Sequence, residues 1–359
     1  MHKLALALLL ACAGAQAAGY ATVTPLIKGG SVKINSAGMA AGNVVPSSFE
    51  QSRPVRIGAG GTVTYLAPPG WSSWANGINA RGTIVGTEEN AVLGAPSFYA
   101  VAWLNGSSKR TVFGGPNTAA AAINDSGQVA GTARIDYLHG SPGQAAVWNG
   151  GTLHLLDDGP ALSSTANDIS NAGHIAGTTR QSAEAGNAVR WRDGVFEILW
   201  SPGQFNETEA INNKGWVVGY ARNDVPAGLS KYQAMLWTES GHLELGEGVA
   251  TDINDRGVVI GQTSGGINDW RGVMWLDGKR YALSDYLDPA LWPDATIVSA
   301  SSITENGDIS AVMRYQGENW AVLLQGIAPV PEPSAWLLLL AGLALLYRRP
   351  AIRRTISSP

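Results

Sequence analysis

The chain has a single cysteine in 359 residues, Cys12, and it lies within the first 17. A disulfide framework and a thiolate metal site are thereby excluded, so the fold must hold by packing and backbone pairing alone. Charge is also scarce. Charged residues make up 14% of the chain and leave a net charge of −4, with no basic stripe through the central region, which argues against nucleic acid as a partner. Beyond His2, the histidines are His139, His154, His174 and His242, at unrelated positions that do not suggest a shared metal or general-base role. No G-x-S-x-G elbow, H-E-x-x-H pair or phosphate loop occurs, so no catalytic residue, metal or cofactor is assigned. Glycine is abundant, at 45 residues, and 13 tryptophans accompany it. That mixture suits tight turns between short, aromatic-bearing strands.

The start of the chain reads as an export signal. Met1, His2 and Lys3 precede an apolar run from Leu4 to Ala11 and small residues ending in Ala15-Gln16-Ala17. A positive start, a short apolar stretch and an A-x-A site predict a secretory signal over residues 1–17, cut after Ala17. Cys12 is then lost with it. The other reading makes Cys12 a lipoprotein cysteine, since Leu9-Leu10-Ala11-Cys12 loosely resembles a lipobox with an unusual Leu10.

At the far end Val330, Pro331, Glu332 and Pro333 stand before an uncharged apolar run from Ala335 to Leu346, followed by Arg348 and Arg349 and then Arg353 and Arg354. This order resembles the PEP-CTERM sorting signal of Gram-negative bacteria. The resemblance implies export through the inner membrane, recognition by an exosortase-type membrane protease, and transient tethering before placement at the cell surface or outside the cell. The chemistry suits that route: prolines stop the preceding strand, leucines enter lipid, and arginines stay cytoplasmic. The predicted transmembrane helix is short of the ~20 residues a permanent span uses. An ordinary C-terminal anchor is the alternative, and it has no use for Pro-Glu-Pro. Members of that family usually stop soon after the arginines, whereas this chain continues to Pro359.

Between the ends, the pattern Ile-Asn-x-x-Gly-x-x-x-Gly, with Ser170 and Thr304 for the asparagine in two copies, starts at Ile34, Ile78, Ile123, Ile169, Ile211, Ile253 and Ile303, at intervals of 42 to 50 residues. The first glycine is present in every copy, and the second is replaced only by Ala311. Downstream of each start lies an aromatic strand carrying Trp103, Trp148, Trp191, Trp237, Trp275 or Trp320, with Arg56-Ile57 in the first copy. A glycine turn and an alternating stretch follow. Each period thus holds four short strands, the signature of a propeller blade. The reading is all-β: a seven-bladed β-propeller over residues 18–328, followed by a short hydrophobic helix within a sorting segment over 329–359. The last repeat lacks a fourth strand, and Ala21 to Leu26 matches the fourth-strand segment Gly61 to Leu66. An N-terminal strand completing the last blade would close the ring and hide two sheet edges.

The repeats also resemble the HAF family of extracellular repeats, with Gln144-Ala145-Ala146-Val147-Trp148 and Gln233-Ala234-Met235-Leu236-Trp237 in place of the eponymous His-Ala-Phe strand. That resemblance carries no activity with it. Asn124-Asp125-Ser126-Gly127 and Asn254-Asp255-Arg256-Gly257 look like calcium loops, yet most copies offer at most one acid, whereas a tight turn explains them all. The regular tryptophans read as packing between blades. Trp71, Trp74 and Trp270 lie off the common position and are the candidate ligand aromatics, suited to a carbohydrate face; Trp200, Trp216 and Trp292 are also irregular. Two function classes stay open: a non-catalytic binding or structural module of the cell surface or exopolysaccharide matrix, taking polysaccharide or another surface protein as partner, and a propeller glycan hydrolase or lyase. The second needs paired carboxylates at the ring's mouth, from acids such as Asp157, Asp158, Asp252, Asp255 and Asp269.

Overall fold

A computed structural model describes residues 19–44, 52–68, 72–90, 97–104, 107, 110–134, 143–182, 185–201, 203, 205–223, 231–264 and 269–327. The signal segment, Cys12, Trp71, His139, Val330 to Pro333, the predicted hydrophobic helix, Arg348 and Arg349 lie outside the described residues. Contacts divide the chain at Ile327, with Ala328–Pro359 as a second unit. Among the described residues no helix is long and apolar enough to cross a membrane.

Each repeat is an antiparallel meander. In the third, Thr118–Ile123, Val129–Ala133, Gln144–Asn149 and Thr152–Leu155 pair in chain order. The first, second and sixth repeats form four-stranded sheets in the same way, while the fourth and fifth join through a parallel pairing of Gly186 with Phe205. The seventh sheet takes its fourth strand from the start of the chain. Thr22–Lys28 lies antiparallel to Glu318–Gln325, with Val23 opposite Leu324. The first inner strand, Gly30–Ile34, meets the seventh repeat through Ser31 and Ser301 at 2.9 Å, the Ile34 N–H on Ser302 Oγ at 2.9 Å, and Ser310 Oγ on the Val32 carbonyl at 2.7 Å.

The inner strands explain the repeat pattern. They crowd toward a common axis, and in five of them a buried position is alanine: Ala75, Ala120, Ala166, Ala250 and Ala300. In the second to sixth repeats a β-bulge interrupts the strand two residues before the isoleucine, and the bulged side chain leaves the ladder. The two glycines serve different ends. Gly127, the first of its pair, sits at φ 90 in the turn, a conformation that disfavours side chains. Gly219, the second of its pair, has an ordinary φ, but a Cβ there would lie 2.0 Å from the Glu207 carbonyl oxygen. The exception, Ala311, faces the one inner strand with two register shifts, Ile297/Ser299 and Ala300/Ser302.

Five of the six regular tryptophans are core residues, and Trp320 is partly buried against the core of the seventh repeat. Trp103, Trp148, Trp191, Trp237 and Trp275 are at most 3% exposed. Three of these rings reach back to the preceding repeat: Trp103 Nε1 donates to the Leu66 carbonyl at 3.0 Å, Trp275 Nε1 to that of Leu245 at 2.9 Å, and Trp191 Nε1 to that of Asp157. In the first repeat Ile57, 1% exposed, fills the tryptophan's place.

Candidate functional site

The seven inner strands line an axial cavity of about 610 Å³. The bulged residues Asn76, Asn167, Glu209 and Thr251 are on its wall. Three of them tie neighbouring inner strands together: Asn76 Nδ2 donates to the Ala120 carbonyl at 2.8 Å, Asn167 Nδ2 to that of Thr208 at 2.7 Å, and Thr251 Oγ1 to that of Ala300 at 2.8 Å. Glu209 is the odd member, because an ionised carboxylate has no hydrogen to donate. One residue further on, Asp252 accepts its own Ile253 N–H at 2.8 Å and the next repeat's Ile303 N–H at 2.8 Å. Asp168 likewise accepts the Ile211 N–H at 2.9 Å.

These carboxyl groups hold their protons unusually well. Burial, then the charge of Glu207, pushes Glu209 up to about 7. Burial, then the charge of Asp168, pushes Asp252 up to about 7, against the pull of two amide hydrogens. Burial also raises Asp168, and Lys33 is the cation that opposes it. A carboxyl whose pKa is higher folded than unfolded contributes stability that is full below its unfolded value near 4 and is lost as pH rises through its folded value. The melting temperature should therefore fall between about pH 4 and about pH 7 and level off above that, and Glu209→Gln should flatten that fall. Parallel pH profiles for wild type and variant, measured by calorimetry, would show that Glu209 does not titrate there.

The opposite end of the axis is a ring of turns. Asn35, Asn79, Asn124, Asn212 and Asn254 each donate Nδ2 to the main-chain carbonyl of the corresponding turn residue in the next repeat, at 2.8 to 3.2 Å. The Asn124 side-chain oxygen takes the N–H of Gln128, closing its own turn. The asparagine of the motif is therefore both a turn cap and a link between repeats. In the fourth and seventh repeats the position holds Ser170 and Thr304, and there Asp168 and Ser302 link to the next repeat instead. The turn acids are engaged as well: Asp125 accepts the Ala80 N–H, Asp255 that of Asn213, and Glu305 that of Asp255. Among the described residues no group of three or more His, Cys, Asp or Glu could hold a metal ion.

The acids weighed for catalysis do not gather in one place. Asp157 accepts the Gly159 N–H, Asp158 accepts Ser164 Oγ, and Asp269 pairs with Arg271 at 2.9 Å. Asp255 is engaged in the ring of turns, and Asp252 lies on the inner strands with Asp168 and Glu209. Those two and Lys33 escaped the sequence reading. Their signal is their place one or two residues before the isoleucine, in columns otherwise filled mostly by small or neutral residues.

Of the candidate aromatics, Trp74 is the second residue of the second inner strand, Ser73–Ile78, and Trp270 opens the third strand of the sixth repeat, so they stand in separate sheets. Trp74 borders a second cavity, of about 630 Å³, between the second and third repeats. Trp200 is 74% exposed and packs its ring 5.4 Å from His242, while Trp292 packs edge-on against Tyr315.

No known protein-family profile matches this chain, and no curated protein matches it. Solved structures do. A puromycin-hydrolyzing peptidase from Mycobacterium tuberculosis is similar at TM-score 0.51 and 11% identity, over 88% of this chain and 53% of that one. TolB from Acinetobacter baumannii has TM-score 0.48 and 11% identity, over 82% of this chain and 65% of its own. The β-propeller domain of the Trilobed protease from Pyrococcus furiosus also has TM-score 0.48 and 11% identity, over 70% and 80%. The chain spans about half the length of the mycobacterial peptidase. At such identities the likeness concerns the fold alone, and the fold is a β-propeller.

Proposed function

We propose that this protein is an exported, non-catalytic binding or structural module of the bacterial cell surface or exopolysaccharide matrix, carried on a closed seven-bladed propeller. The observation that carries the reading is the employment of the axial polar groups. Asp168, Asp252, Asn76, Asn167 and Thr251 are all spent on main-chain groups of neighbouring repeats. Groups so engaged hold a ring together and are poorly placed to move protons on a substrate. Closure is supported by the pairing of Thr22–Lys28 with the seventh repeat and by the contacts of Ser31, Val32 and Ile34 with that repeat.

A glycan hydrolase or lyase is the second reading, favoured by one observation: Glu209 and Asp252 titrate near neutrality in the axial region. A glycan array on the purified chain, followed by a reducing-end assay on whatever binds, separates the two. Binding without cleavage supports the module; cleavage lost in Glu209→Gln supports the enzyme.

The address is part of the proposal. The resemblances of the repeats and of the tail support a route in which the propeller is first periplasmic, with Arg348 and Arg349 cytoplasmic, before an exosortase-type protease cuts near Pro331 to Pro333. In cells carrying such a protease, changing Pro331, Glu332 and Pro333 to alanine should leave the membrane holding uncut precursor. Intact mass of the mature wild type is the check. Retention of Trp336 to Pro359 in most molecules would make the tail a plain anchor.

A further inference from the structure

We infer that the cavity between the second and third repeats binds a hexuronate residue of an acidic polysaccharide, with Trp74 and Phe98 as the stacking surface and Arg134 as the carboxylate partner. This deepens the surface-module reading and rests on it. Trp74 and Phe98 have ring centroids 6.4 Å apart, inclined at 44°, and belong to none of the buried core clusters; Phe98 is 41% exposed. Two large aromatic faces left half open on a cavity wall need a partner with an apolar face. A pyranose ring offers one, through the C–H bonds of one side, while its hydroxyls project around the rim.

The polar rim matches such a ligand. Asn76 spends an amide hydrogen on Ala120, which leaves its carbonyl oxygen an acceptor, and Asn117 and Thr132 add further amide and hydroxyl groups. Charge selects the sugar class. The chain carries a net −4, yet the wall of this cavity has one charged residue, and it is the exposed Arg134. Among the described residues its guanidinium meets no carboxylate. A planar carboxylate on a sugar ring suits that fork in a bidentate pair. The cavity shares Asn76, Ala119 and Thr132 with the axial cavity, so a chain of sugars has room to continue toward the axis.

The test uses the full-length chain, tetramannuronate and neutral mannotetraose, read by calorimetry and tryptophan fluorescence. Tetramannuronate should bind at least about 10-fold tighter than mannotetraose, and Arg134→Gln should abolish that preference, as expected for one charge-assisted pair. Trp74→Ala and Phe98→Ala should each weaken binding of both oligomers by about 2- to 10-fold, with Trp74→Phe restoring part of the loss. Unchanged melting temperatures show that the variants fold. Equal affinity for the two oligomers, or a preference that survives Arg134→Gln, overturns the uronate assignment. Undiminished binding in the Trp74→Ala, Phe98→Ala double variant puts the glycan site elsewhere and leaves the surface-module reading standing. If neither oligomer binds, this inference fails, and the glycan array separately decides the broader function.

Discussion

Replacing Gly219 with valine should destabilise the protein by about 3 to 5 kcal/mol, the upper range for a single substitution. A Cβ built there lies 2.0 Å from the Glu207 carbonyl oxygen, 2.9 Å from Thr208 Cα and 3.0 Å from the Glu207 carbonyl carbon. All three are backbone atoms of the bulged inner strand, and none can swing aside as a side-chain tip could. The first atom of any side chain makes the clash, so Gly219→Ala should be nearly as damaging as Gly219→Val. Gly127 behaves differently. It has φ 90 and nothing within 4 Å of its built Cβ, so the penalty there is conformational only. Valine at Gly127 should cost about 1 to 3 kcal/mol, and asparagine, which tolerates the left-handed region, much less. Urea unfolding of the four variants checks the pattern. A Gly219→Ala protein as stable as wild type would mean that the strands part at the bulge without cost.

That contrast marks how far the sequence could be read. Periodicity exposed the repeats, their four strands and the complementary strands at the two ends, because hydrophobic alternation and turn glycines are local signals. The tryptophans at fixed intervals also announced their role, since a ring repeated in register has the same neighbour each time. The bulge is not local in this sense. It interrupts the inner strand of the second to sixth repeats directly after the residue paired with the second glycine, the one needed for space. Glu209 and Asp168 were hidden for the same reason, since the bulge decides which residue before the isoleucine faces the axis; Lys33, on a first inner strand with no register shift, was hidden because the axial cavity forms only where the repeats stand together. The pairing of Trp74 with Phe98 was equally out of reach, since the two sit on non-adjacent strands and meet only through the registers Trp74 with Thr87 and Glu89 with Phe98. The motif asparagine was read as a turn cap, which it is, but its second bond to the next repeat depends on how closely the units stand.

Deleting residues 22 to 28 should have the largest effect of all, leaving a chain that fails to fold cooperatively at 25 °C. The segment pairs with Glu318–Gln325 along its length, and Val23, 5% exposed, joins a buried cluster with Ile309, Met313 and Leu324. Burying one such valine contributes about 1.5 to 3 kcal/mol. The backbone ladder adds to this, and its loss exposes a long hydrophobic edge at Trp320 to Leu324. The Lys28–Glu318 ion pair, 2.5 Å apart but with side chains 57% and 45% exposed, contributes little, so Lys28→Ala should be close to neutral. Against a typical total of about 5 to 15 kcal/mol, losing the strand removes most of the margin. Val23→Asp isolates the packing part without shortening the chain, and it should lower the melting temperature while keeping the unfolding transition cooperative. A synthetic peptide spanning residues 20 to 29, added during refolding, should rescue the deleted chain by taking the vacant place beside Glu318–Gln325. A deleted chain that melts at the wild-type temperature would mean that the seventh repeat is stable with three strands, and the closure of the ring through the N-terminal strand would have to be abandoned.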